Sequence, residues 1–371
     1  MPTDSTLPRL HLGGRPLSVV GRARIYVCGV TPYDVTHLGH AATFVWVDAA
    51  ERVLRRLGVQ VEVCRNVTDV DDVLFDAATR AGAHYDRFAA VHQFHFERDM
   101  DALGVRRPTH EPRAHSHVPQ VVALAAALLD GGAAYQAEGS VYFRGADVPA
   151  ACGLLRDEAE TLLDGAGGRT DDPTKKDPLD QAVWQASGSG EPAWPSPWGA
   201  GRPGWHAECT AMALSTYGSS VDLHAGGADL RFPHHAYENA QAEAATGVTP
   251  FARSWLHVGT VRLDGEKMAK STGNLVFVSE LLSRVSGQVL RALLLDRRYG
   301  TPWDFDDAAL GSASARLDAL HVAAGRPYGI ESGPGAVLAA LVDDLDVPRA
   351  MDVAIEEGGQ SARDLVAILG L

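Results

Sequence analysis

The sequence predicts an α/β protein, a doubly wound parallel sheet interrupted by an inserted subdomain and followed by a small C-terminal helical domain. Three observations carry this expectation. First, Arg24-Ile-Tyr-Val-Cys-Gly-Val30 reads as a buried strand, a helical pattern runs roughly from His40 to Leu57, and Val59 to Cys64 reads as a second strand. That strand–helix–strand order begins a parallel sheet. Second, strand-like sequence resumes only at Ser220-Val-Asp-Leu-His-Ala225 and Trp255-Leu-His-Val-Gly-Thr-Val-Arg-Leu263. Third, helical pattern dominates from Val278 to Leu295 and again from Asp307 to the end, where Gly333-Pro-Gly335 and Gly358-Gly359 divide it into short helices.

Between the two sheet halves the pattern reads as largely helical from about Leu74 to Val148. A Gly-, Asp- and Pro-rich stretch, Gly153 to Trp198, then shows weak periodicity and is expected to form mobile loops. The expected divisions are 1–115 for the first half of the catalytic domain and 116–200 for the insertion. The second half follows at 201–275, a helical segment at 276–306, and a short helical domain at 307–371.

With 371 residues the chain exceeds one small core, and a composition of 46% hydrophobic and 22% charged residues is that of a globular enzyme. The net charge of −14 removes whole-protein attraction to a phosphate backbone, leaving only local patches for nucleic acid. Cys28, Cys64, Cys152 and Cys209 are too dispersed for a disulfide framework. The stretch Met1–Leu10 lacks the apolar segment of a signal peptide, and the longest apolar run, Val121–Leu129, is too short to span a bilayer. A cytoplasmic protein with reduced thiols and no membrane contact is expected, acting as a monomer.

Two segments carry chemistry. After the first strand comes Thr31-Pro-Tyr-Asp-Val-Thr-His37-Leu38-Gly39-His40, with two histidines three apart at a helix start and Gly39 between them. A strand end facing a helix N-terminus favours phosphate oxygens, although a pair of solvated capping histidines would look the same. Far downstream, Asp264-Gly-Glu-Lys267-Met268-Ala269-Lys270-Ser271-Thr272-Gly273-Asn274 places two lysines in a Gly-bounded loop, as a polyphosphate clamp or a charged surface turn would. No Walker-type loop is present. A possible metal set comprises Cys28, Cys209 within Trp205-His206-Ala-Glu-Cys209, and His234 with Glu238, four apart on one helical face; His235 is expected to point elsewhere. Spacing alone does not bring Cys28 to Cys209.

Together, the His-x-Gly-His and Lys-Met-x-Lys-Ser segments resemble the paired signature of class I aminoacyl-tRNA synthetases. Asn66-Val-Thr68-Asp-Val-Asp-Asp72, Gly190-Glu-Pro-Ala-Trp-Pro-Ser-Pro197 and Gly226-Gly-Ala-Asp229 extend the resemblance over roughly Tyr26–Asp306. Within that group the chain resembles the cysteinyl-tRNA synthetases and the shorter cysteine:glucosaminyl-inositol ligases of mycothiol biosynthesis. The resemblance implies a Rossmann-like catalytic domain that consumes ATP with Mg²⁺ to activate L-cysteine as an adenylate. It implies one Zn²⁺ per chain on Cys28, Cys209, His234 and Glu238, taking the substrate's thiolate as a further ligand. His37, His40, Lys267 and Lys270 would stabilise the reacting α-phosphate. Gly29, Thr31, Gly39, Thr43, Asn66, Thr68, Trp205, Gly227, Asp229, Val261 and Ser271 would surround cysteine and adenosine, with Asp229 on either the ribose or the substrate ammonium.

The acceptor is the open question. Pro32, Thr36, Ala41 and Ala42 are closer to the ligases than to the tRNA enzymes, and about 65 residues after Asp306 are too few for an anticodon-reading domain. From Asp307 onward four arginines face ten acidic residues, which argues against RNA. Glu238 instead matches the synthetases, Ala236 and Ala269 depart from both groups, and the segment Gly145–Asp172 matches neither. The expected partner is therefore a small primary amine, most simply an amino-sugar glycoside, rather than tRNA. A different amine acceptor and a minimal cysteinyl-tRNA synthetase are the alternatives. His206, His224 and Asp69 are the candidates for deprotonating the amine.

Overall fold

The computed structural model describes residues 9–268, 273–329 and 335–371. Its centre is a parallel four-stranded sheet. Strand β1 (Arg22–Val30) leads through helix α1 (Leu38–Arg56) to β2 (Gln60–Val67); helix α2 (Trp205–Tyr217) precedes β3 (Leu223–Gly227), and helix α3 (Ala236–Thr246) joins it to β4 (Trp255–Val258). The spatial order is β4-β3-β1-β2, so the chain leaves β1 to one side and returns to its other side at β3. Such a switch point leaves a crevice beyond the carboxyl ends of the strands, where ligands bind in open α/β sheets.

The sequence explains why this sheet is central. Ile25, Tyr26 and Val27 of β1 are all fully buried, as in a strand covered on both faces. Helix α1 buries Phe44, Val45, Trp46, Val53 and Leu54 between the sheet and the C-terminal helices. The β1–β2 register shifts between Val27 and Val30. A Cβ on Gly29 would lie 1.7 Å from the Asn66 carbonyl oxygen, so only glycine lets the two strand ends meet there.

The region between the two sheet halves departs from the sequence expectation. Helices Asp72–Arg80, Tyr85–Ala102 and Val118–Asp130 form as read, but the helical pattern does not continue to Val148. Ala134–Ala137 and Ser140–Phe143 form an antiparallel hairpin, joined by Gln181–Ala186 and Gly201–Pro203 into a four-stranded sheet. The hairpin turns at Glu138-Gly139, both at positive φ, which suits a tight two-residue turn. Within the stretch expected as loops, Arg156–Gly165 is a helix. These elements enclose a second core around Val121, Leu128, Val141 and Trp184.

The strand-like run after Trp255 is two strands. Past Gly259, against whose Cα the Thr301 backbone packs closely, Val261–Leu263 joins another small sheet, paired parallel to Trp303–Asp304 and antiparallel to Glu266–Lys267. Lys267 thus sits on a hairpin turning at Asp264-Gly265. The C-terminal helices pack on α1, and Arg291 locks them: its guanidinium pairs with Asp48 of α1 and donates to the Leu369 and Leu103 carbonyls at 2.5 and 3.1 Å.

Candidate active site

A cavity of about 420 Å³ opens at the carboxyl ends of the strands. The end of β1 contributes Cys28, Gly29 and Thr31, the end of β2 Asn66 and Thr68, and the end of β3 Gly227 and Asp229. His37, Gly39, His40 and Thr43 enter from the start of α1, Trp205 and Cys209 from α2, and His234, Val261 and Lys267 complete the wall. Sixteen of the expected residues therefore converge on one space, although they come from distant parts of the chain. Glu238 lies just behind it, fully buried. Lys270 and Ser271 lie outside the described residues.

At the floor, Cys28, Cys209, His234 and Glu238 are all buried, with their ligand atoms within 4.8 Å of one another. Cys28 Sγ is 3.1 Å from Glu238 Oε1, which is also 2.9 Å from His234 Nε2. Asn66 Nδ2 donates to Cys209 Sγ at 3.3 Å. Burial is the largest influence on Cys209 and opposes its ionisation, but the hydrogen bond from Cys28 and the charge and hydrogen bond of His234 together lower the thiol to about 7. Burial likewise opposes charging His234, yet Glu238 and Cys209 raise it to about 10. The site thus combines a thiol and a carboxylate with a readily charged imidazole. Two sulfurs, an imidazole and a carboxylate fit the donor set of zinc, and Glu238 Oε2 is buried without a hydrogen-bond partner.

The expectation for His235 needs correction. Its side chain does not leave the centre: Cys28, His224, His235 and Glu238 form a second buried set with ligand atoms within 4.8 Å. The reason is local. Phe232 is non-helical (φ −141°, ψ 135°), so both histidines enter α3 from a bend rather than a regular helix. His235 Nδ1 also lies 2.9 Å from His257 Nε2.

Sequence reasoning missed the support of His234. Its Nδ1 is 2.9 Å from His206 Nδ1, and Trp205 stacks on its ring at 4.1 Å between centroids. Burial, first, and then His234 push His206 well below its usual pKa, so it is neutral and can accept this bond. His206 and Cys209 are three apart on α2, and that shared face was the available signal. Outer partners of this kind orient a ligating histidine, and losing one typically weakens metal binding about 10–100-fold. His206→Ala should weaken zinc retention by about that factor, measured by competition with a chelator, while far-ultraviolet circular dichroism stays unchanged.

None of the three candidate bases is free. His206 holds His234. His224 is fully buried, Nε2 is 3.5 Å from Cys28 Sγ, and burial pushes it down to about 4. Asp69 accepts from His115 Nδ1 at 2.6 Å and Arg113 at 3.2 Å.

On the opposite wall, His37 caps α1, its Nδ1 accepting from the Gly39 and His40 amides at 3.1 and 3.4 Å. The capping arrangement and the cavity-lining role coexist. Burial and the adjacent His40 push His37 down to about 3, which leaves a neutral ring with the proton on Nε2. His40 stacks against it at 3.8 Å. Lys267 Nζ pairs with Asp229 Oδ2 at 2.6 Å across the mouth. Thr31 and Thr68 share a 2.8 Å hydroxyl bond between the two walls.

Residues 17–315 match the family described as tRNA synthetases class I (C) catalytic domain. The chain is 43% identical over 350 residues to the cysteine–tRNA ligase of Anaeromyxobacter dehalogenans strain 2CP-C, covering 91% of this chain and 73% of that protein. It is 44% identical over 360 residues to the L-cysteine:1D-myo-inositol 2-amino-2-deoxy-alpha-D-glucopyranoside ligase of Frankia alni, covering 93% and 87%. In fold it resembles Mycobacterium tuberculosis methionyl-tRNA synthetase in complex with methionyl-adenylate, with a TM-score of 0.63 at 17% identity over 95% of this chain and 82% of that one. No helix among the described residues is long and apolar enough to cross a membrane.

Proposed function

The chain belongs to the class I (C) tRNA synthetase family, and on that footing we propose that it is an ATP-dependent cysteine ligase whose acceptor is the primary amine of a small molecule. The carrying observation is that Cys28, Cys209 and His234, clustered with buried Glu238, line the same cavity as His37, His40 and Lys267. Cys28, Cys209, His234 and Glu238 would hold zinc, whose chemistry is to bind the substrate's soft thiolate and so separate cysteine from serine. The cysteine carboxylate attacks the α-phosphorus of ATP, a P–O bond forms, and pyrophosphate leaves with the bonding pair. A carboxylate is already ionised, so no general base is needed. His37 donates through Nε2–H, and His40 and Lys267 add donors and charge as negative charge builds on the phosphoryl oxygens. Lys270 is proposed for the same task, and Mg²⁺ would accompany the triphosphate.

In the second step a neutral amine attacks the acyl carbon. The C–N bond forms, the C–O bond breaks, AMP leaves with the electron pair, and the nitrogen gives its proton to solvent or to the departing phosphate. An amine is a better nucleophile than a ribose hydroxyl, so placing it near the acyl carbon meets most of the demand. This agrees with finding His206, His224 and Asp69 all otherwise engaged.

The choice of a small amine over tRNA is supported by the C-terminal helices. Arg316 pairs with Asp296 and Asp352, and Arg349 with Asp343. Arg326 and Arg363 donate to backbone carbonyls. All four arginines beyond Asp306 are thus committed within the chain rather than offered to a phosphate backbone. The second reading, a tRNA acceptor, draws on relatives of 43% identity named as cysteine–tRNA ligases.

Exchange of labelled pyrophosphate into ATP tests the first step. We expect exchange with cysteine and none with serine; absence of exchange by zinc-replete protein sinks the ligase reading. Mass spectrometry of products after offering amino-sugar glycosides and tRNA to the adenylate tests the second, and product on tRNA alone would reverse the acceptor choice.

A further inference from the structure

The reaction needs a place for the body of the acceptor, and a second groove adjoins the cavity proposed for cysteine and ATP. Tyr33 and Asp34, in the turn after β1, wall the 420 Å³ cavity on one side and a second, open groove of about 620 Å³ on the other. The far side of that groove is built by the helices Asp72–Arg80 and Tyr85–Ala102, which contribute Ala77, Arg80, Phe88 and His92. The Tyr33–Asp34 turn is therefore the sill between the reacting centre and a surface outside it.

The groove's chemistry is specific. Phe88 is half-buried, its ring 4.4 Å from that of His92, and with half-buried Tyr33 it offers aromatic surface at the groove. Arg80 is exposed in the last turn of its helix and has no hydrogen-bonded or ion-paired side-chain partner among the described residues. Two other arginines of this region are committed within the chain, Arg113 to Asp69 and Arg202 to Asp72 and Glu191. At the sill itself the charge is reversed, because Asp34 and Asp71 both act on the Tyr33 hydroxyl. A ligand that is cationic at one end and hydroxyl-rich along its body matches this sequence of acidic sill, aromatic wall and free guanidinium.

We propose that this groove is the acceptor subsite, in which Phe88 and Arg80 hold the polyhydroxylated body of a small amine while the Tyr33–Asp34 sill draws in its ammonium end, which gives a proton to solvent before the neutral amine attacks the acyl carbon. The inference rests on the small-amine reading of the function and names where its specificity lies.

The test uses the full-length, zinc-loaded chain and two nucleophiles. Hydroxylamine, too small to need the groove, reports adenylate formation as hydroxamate. Methyl 2-amino-2-deoxy-α-D-glucopyranoside reports the subsite as amide. Arg80→Ala, at an exposed position, should raise KM for the glucosaminide about 10-fold or more, the scale of one lost charged hydrogen bond, and leave hydroxamate formation within about 2-fold. Phe88→Ala should move KM in the same direction. Unchanged KM in both variants overturns the inference, as does a wild-type chain that forms hydroxamate but no glucosaminide amide. Loss of tRNA charging in Arg80→Ala with glucosaminide KM unaltered also overturns it, assigning the groove to RNA. A wild-type chain that forms no hydroxamate fails earlier, at the ligase reading beneath the inference.

Discussion

Cys209→Ser should yield a folded chain that retains almost no zinc and exchanges pyrophosphate at less than about 1% of the wild-type rate, a loss beyond the 10–100-fold typical of outer partners. The change swaps one atom at a side chain 1% exposed, so folding should survive it. Its chemical effect is large. The structure already favours the Cys209 anion, with its thiol near 7, and the sulfur accepts from Asn66. A serine hydroxyl does not ionise there and is a poor zinc donor. Metal content of the purified variant and its cysteine-dependent exchange are the measurements. The overlapping set of Cys28, His224, His235 and Glu238 makes the result informative in either direction. If zinc sits there instead, Cys209→Ser keeps its metal while His224→Ala loses it. Stoichiometric zinc and full exchange in Cys209→Ser would overturn the assignment.

What the sequence disclosed divides along the range of the interactions involved. The parallel core was legible because β1, α1 and β2 follow one another within about fifty residues and carry unmistakable apolar runs, so local pattern and neighbour in space coincide. The hairpin Ala134–Phe143 was not. Its strands are four residues long, follow an alanine- and leucine-rich helix, and contain helix-tolerant alanines; only Glu138-Gly139 marked the turn. The site shows the same division. Residues carried by contiguous motifs, such as His37 and His40 or His234 and Glu238, were readable. The His206–His234 and Asp69–His115 contacts join segments 28 and 46 residues apart, and no local spacing announces them. The Tyr33–Asp34 sill was visible only as part of a motif, because its second face is made by two helices some forty to sixty residues further along the chain.

The pairing of Lys267 with Asp229 leads to the other large expected effect. An ammonium group, that of Lys267, rests 2.6 Å from the Asp229 carboxylate. Asp229 was left open above between the ribose of ATP and the ammonium of cysteine, and the two possibilities now have different consequences. If Asp229 takes cysteine's ammonium, the incoming substrate displaces Lys267 and frees it for the phosphates, so each ligand helps the other. If Asp229 takes the ribose, ATP displaces Lys267 unaided and cysteine is indifferent. We expect the first, because the carboxylate already holds an ammonium in this geometry. Cysteine should then tighten binding of a non-hydrolysable ATP analogue by about 5-fold or more, within the usual range of site–site coupling, as titration calorimetry would read. Asp229→Asn should reduce that factor to near one, and Lys267→Ala should remove it and also slow exchange by about 10²–10³-fold, as loss of one aimed donor does. A wild-type factor of one would move Asp229 to the ribose. A factor that persists in Asp229→Asn would break the link between the pair and the coupling altogether.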